Sequence, residues 1–116
     1  MDQPARVGVA ARQIFHHHLY EYRKGVRQLF MMTMTVAEAS DIIGELAESR
    51  LPHYVHAVSE TKINLFFGRQ VLVEVMKVVV TKPLHRLSPE EDFMLGALLG
   101  YDKEQQCRRF LARSQR

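Results

Sequence analysis

The residues able to do chemistry are six histidines, one cysteine and a few groupings of charge. His16, His17 and His18 stand in a row. A helical metal site needs ligands three or four positions apart, on one face. Consecutive helical positions point about 100° apart, so these three cannot converge. His17 with Glu21 has the i,i+4 spacing on one face and is a weak two-ligand candidate for a metal. His53 and His56 lie three apart in a strand-like stretch and so face opposite sides. His85 stands alone. Cys107 sits beside Arg108 and Arg109, cations that activate a thiol. It also shares a helical stripe with Phe110 and Leu111, and a free cysteine on such a stripe is expected to be buried and structural. Arg109, Arg113 and Arg116 fall at i, i+4 and i+7 on the opposite side. That stripe is a solvated face, a surface for an acidic partner, or the internal partner of acids elsewhere in the fold. No phosphate loop, dinucleotide-binding glycine pattern or nucleophile elbow is present. The sequence therefore implies no catalytic residue and no cofactor, with His17 and Glu21 as the weak metal alternative.

The elements that must position these residues are legible from periodicity and caps. Ala11, Phe15, His18, Leu19 and Tyr22 mark one face of a first helix, after a loose start over residues 1–10. Gly25 suits its C-terminal cap. Residues 26–35 read as a strand apolar on both faces. Thr35 and Glu38 form a capping box that opens a second helix. Its inward stripe is Ala39, Ile42, Ile43, Leu46 and Ala47, with Glu38, Asp41, Glu45 and Glu48 opposite. Pro52 stops it. Residues 53–59 and 62–68 predict a hairpin. The valines of 69–80 favour a strand, but Gln70, Glu74, Lys77 and Thr81 recur at helical spacing, and the pattern predicts a helix. Ser88, Pro89 and Glu91 open another helix, with Phe93, Met94, Ala97 and Leu98 expected inward. Gly100 ends it. Asp102 caps a last helix burying Cys107, Phe110 and Leu111. The expectation is an α+β fold with a small three-stranded sheet, about five helices and a C-terminal αα-hairpin.

At 116 residues, 47% hydrophobic and 25% charged, the chain suits one globular domain over residues 1–116. One cysteine permits no internal disulfide. No stretch approaches the roughly 20 apolar residues of a membrane helix, and the N-terminus lacks the apolar core of a signal peptide. A cytoplasmic location is expected. Residues 1–35 carry net +3, residues 36–101 net −3 and residues 102–116 net +3. Basic ends thus flank an acidic middle. Aromatic residues do not interleave with the basic ones, which argues against nucleic acid.

Two stretches carry a resemblance: HHLYEYRKGVRQL with the apolar run after it, and NLFFG followed by EEDFMLGALLGYDKEQQCRRFL. Together they are similar to the bacterial family designated domain of unknown function two-thousand-twenty-three, over roughly residues 13–112. The resemblance implies about three strands and five helices and a homodimer, and gene neighbours that include a flavodoxin. It supplies no catalytic residues. The leading expectation is a non-enzymatic homodimer that binds another protein, such as an acidic electron-transfer flavoprotein of the flavodoxin kind. One alternative is a small ligand- or nucleic-acid-binding regulator. Another is an enzyme with a His/Tyr site at the dimer interface, which a pocket holding several histidines would favour.

Overall fold

A computed structural model describes residues 8–115. The element order is α1 (Val9–Arg23), β1 (Leu29–Thr35), α2 (Val36–Glu48), β2 (His53–Ala57), β3 (Lys62–Gly68), α3 (Gln70–Val79), a 3-10 turn (Leu84–Arg86), α4 (Pro89–Leu98) and α5 (Lys103–Ser114). Among the described residues, five α-helices and a three-stranded antiparallel sheet make this an α+β fold, with a C-terminal αα-hairpin. Helix α1 begins at Val9, earlier than the apolar pattern implied, and β1 and β2 are shorter than their apolar runs. Residues 1–7 and Arg116 lie outside the described residues.

The strand order is β1-β3-β2. Central β3 is buried on both faces, so the sheet separates two cores. On one face Phe30, Met32, Leu65 and Phe67 pack against Phe15 and Leu19 of α1 and Ile42 and Leu46 of α2. On the other, Leu29 and Phe66 meet Val73 and Met76 of α3 with Val80, Leu87, Leu95 and Leu99. This explains why strand and helix signals compete in residues 70–79: α3 buries Val73 and Met76 while Gln70, Glu74 and Lys77 stay in water. Tertiary packing of an amphipathic face outweighs the valines' strand preference.

Both predicted capping boxes form. Glu38 N–H donates to Thr35 Oγ1 at 3.1 Å, and Thr35 N–H donates to Glu38 Oε1 at 2.8 Å. Ser88 and Glu91 do the same at 3.1 and 2.8 Å. The α2 stripe holds for Ala39, Ile42 and Leu46, but Ala47 is exposed, because α1 covers that helix from one side only. The acids of α2 are partly claimed by α1: Arg12 pairs with Asp41 at 3.2 Å and His16 with Glu45 at 3.0 Å.

The hairpin departs most from expectation. Helix α4 buries Leu95 and Gly96, followed by Leu99, not Phe93, Met94, Ala97 and Leu98. Helix α5 buries nothing; Cys107 and Leu111 are exposed and Phe110 is only half-buried. On α5 the apolar stripe is the expected one and only its environment differs, whereas at α4 the residues that reach the core, Leu95 and Leu99, lie outside the expected set. Helix α5 packs on α4 and not on the sheet, so its apolar stripe faces a seam open to solvent. The seam is tight at Gly96, where any β-carbon would collide with the Gln106 side chain. At Gly100 the chain reverses through φ 82°, a left-handed turn that glycine adopts without strain.

Candidate functional site

The α4–α5 seam is an open groove of about 640 Å³ lined by Glu90, Phe93, Met94, Ala97, Leu98, Cys107, Phe110 and Leu111. Its side chains come from i, i+3, i+4 spacings on both helices, which is why periodicity places all of them but Glu90 in a core. Glu90 is its one charged member. Met94 is 43% exposed and Leu111 54%. Phe93 and Phe110 meet edge to face across the seam at 5.6 Å between ring centres. A second depression shares Ala97 and Leu98 and runs on past Val26, Arg27 and Leu72, extending the apolar surface.

Behind the groove, Asp92 ties the two helices together. Arg109 donates to both its oxygens, at 2.7 and 3.1 Å, and Arg113 approaches at 3.3 Å. Arg113 also donates to the Leu87 carbonyl at 2.8 Å. The Arg109 hydrogen bonds, with Arg113 beside them, hold the Asp92 carboxyl below its ordinary range, and Asp92 in turn raises Arg109. Two of the three stripe arginines are therefore engaged inside the hairpin, and Arg116 lies outside the described residues. Their internal partner is Asp92 and not the acids of α2.

His17 Nε2 lies 3.8 Å from Glu21 Oε1. Glu21 is committed elsewhere: Arg27 donates to it at 2.8 Å and His18 Nδ1 lies 3.4 Å away. The Arg27 hydrogen bond holds the Glu21 carboxyl below its ordinary value. The His18 ring lies tilted against Phe30, 4.8 Å between ring centres, and burial lowers its pKa against the opposing pull of Glu21. No grouping of three or more metal-ligating side chains occurs among the described residues.

A polar row crosses the sheet on its α3 side. Thr33, Asn64 and His56 stand directly opposite one another on β1, β3 and β2. Thr33 Oγ1 donates to Asn64 Oδ1 at 2.6 Å, Asn64 Nδ2 donates to His56 Nδ1 at 3.2 Å, and His56 Nε2 donates to the Lys82 carbonyl at 3.1 Å. His85 joins His56 along a neighbouring cavity. Both ring nitrogens of His56 are hydrogen-bonded within the fold. Asn64 was not singled out from the sequence, although an amide inside the otherwise apolar strand KINLFFG was the available signal.

No helix among the described residues is long and apolar enough to cross a membrane. No curated protein matches the chain. A family described as protein of unknown function (DUF2023) matches residues 13–113, the span that holds the sheet, the groove and the polar row, and the chain belongs to that family.

Proposed function

We propose that this chain is a non-enzymatic protein that associates with a second copy of itself through the α4–α5 groove. The single observation carrying this is that α5, twelve residues long, buries none of its side chains while its apolar stripe lines an open groove. Contiguous apolar surface of this kind marks interaction sites in soluble proteins. Two such hairpins packed face to face form a four-helix bundle, the arrangement that buries amphipathic pairs of this length.

Charge favours a second copy as the occupant. Residues 88–115 carry five acidic and four basic groups, so two copies of the hairpin do not repel. Glu90 lies at one end of the seam and Lys103 at the other, and neither has an ion-pair partner among the described residues. A two-fold packing with the hairpins antiparallel brings Glu90 of each copy to Lys103 of the other. The apolar extension past Val26 and Leu72 enlarges a face at the lower end of what a specific dimer needs, about 600 Å² per partner. A micromolar dimer is expected.

Capture of an acidic flavoprotein by Arg109, Arg113 and Arg116 would have to compete with Asp92 for two of those arginines. The groove supports self-association better than the stripe supports that partner. Sedimentation equilibrium on a charge-exchange series is the test. Glu90→Lys and Lys103→Glu should each weaken the dimer about five- to thirtyfold, since each places two like-charged contacts across the interface. The double variant should restore it. A dimer insensitive to both single changes refutes this packing.

A further inference from the structure

The row Thr33–Asn64–His56 lines a half-enclosed cavity of about 440 Å³ bordered by the 3-10 turn. Ala57, Val58, Pro83 and Leu84 supply apolar walls, and His85 stands in its lining. Asn64 is 3% exposed and His56 7%. A buried carboxamide in the middle of a small sheet costs stability unless its hydrogen bonds are made, so what each of its atoms does is informative.

The orientation of Asn64 follows from its neighbours. The Lys82 carbonyl can only accept, so His56 Nε2 carries the proton and Nδ1 presents a lone pair. The Asn64 nitrogen must then face His56 and its oxygen must face Thr33, which the 3.2 and 2.6 Å contacts satisfy. These partners approach from opposite sides, because β1 and β2 flank β3 and the residues are in register. A carboxamide has two N–H groups and two oxygen lone pairs. One of each is used sideways, within the sheet. The unused N–H and lone pair lie together on the outer edge of the amide, and Asn64 lines the cavity on this face of the sheet.

The geometry points to a binding site for a small, planar, uncharged heterocycle that presents a donor beside an acceptor, as a lactam or a nucleobase edge does. The outer edge of Asn64 pairs with it through two hydrogen bonds, the bidentate mode by which asparagine reads adenine. Thr33 and His56 lock the amide so that it cannot rotate to offer the wrong order. Pro83 and Leu84 flank the ring, which suits the mostly apolar lining with a few convergent polar groups typical of small-molecule sites. This site lies on the α3 side of the sheet, among residues that do not line the α4–α5 groove, so it stands or falls independently of self-association.

The test is a nitrogen-15 amide titration of the full chain with 2-pyridone and adenine as probes and N-methyl-2-pyridone as the control lacking the donor. Saturable shifts are expected with both probes at Thr33, His56, Val58, Asn64, Leu84 and His85. N-methyl-2-pyridone should bind at least tenfold more weakly. Leu84→Trp, which fills the cavity without touching the polar row, should abolish the shifts while leaving the spectrum dispersed. Thr33→Ala, which frees the amide to rotate, should weaken both probes several-fold. Absence of saturable shifts at millimolar probe, equal binding of the methylated control, or undiminished binding to Leu84→Trp overturns the assignment.

Discussion

Removing the Ser88 hydroxyl tests whether the hairpin is anchored as described. Ser88 caps α4, and α4 carries both the Leu95 and Leu99 contacts to the core and half of the groove. In Ser88→Ala the Glu91 N–H loses its 3.1 Å acceptor, while the returning bond from Ser88 N–H to Glu91 is retained. Loss of a serine cap for alanine costs ~1 kcal/mol, and glycine costs only a few tenths. For a domain of this size the loss lowers the melting temperature by about 4 °C. It lowers the urea midpoint by roughly 0.5 M, with an unchanged slope. Lys82, 3.0 Å from Glu91, holds that carboxylate in place, so the loss should stay near one hydrogen bond. Circular dichroism during urea unfolding, at one fixed protein concentration, is the assay. An unchanged midpoint, or a larger loss in Ser88→Gly than in Ser88→Ala, refutes the cap and the helix boundary with it.

Acidification should destabilise the fold through His18. Its folded pKa lies below the ordinary value, so the unfolded chain binds the extra proton, and stability present above about pH 6.5 is lost as pH falls below it. Urea midpoints at pH 7.5 and 5.5 should therefore differ more in the wild type than in His18→Leu. Arg50 adopts φ 56° at the end of α2, where its N–H donates to the Ala47 carbonyl and glycine is the usual residue. Arg50→Gly should stabilise by about 0.5–1 kcal/mol, and a lower midpoint would contradict that reading. Cys107 is exposed, so a maleimide should label it without denaturant, and a bulky maleimide should reduce self-association because the adduct occupies the groove.

Caps and periods that act within a few residues were legible in the sequence. The boxes at Thr35 and Ser88 and the helical reading of residues 70–79 depend on local spacing alone, and all three hold. What failed needed to know which elements meet. The stripe Cys107, Phe110 and Leu111 looks the same whether it packs on a sheet or on a seam open to water, because amphipathicity says which side is apolar and not what covers it. Asp92 could not be assigned to Arg109 and Arg113, because those arginines lie seventeen or more positions away and become neighbours only through the turn at Gly100. The Thr33–Asn64–His56 row depends on strand order, with β1 beside β3 instead of β2, and that is set by both cores at once.

Light scattering coupled to gel filtration, on the wild type beside Met94→Glu/Leu111→Glu, tests self-association through the groove most directly. Both side chains are exposed in the single chain, so the double variant should keep its fold, circular dichroism and urea midpoint. It places four carboxylates in the dimer's apolar centre, where unpaired charge costs several kcal/mol. The wild type at tens of micromolar should approach twice the 13.5 kDa chain mass, and the variant should run at 13.5 kDa. A wild type that stays at 13.5 kDa, or a variant that still pairs, contradicts the account.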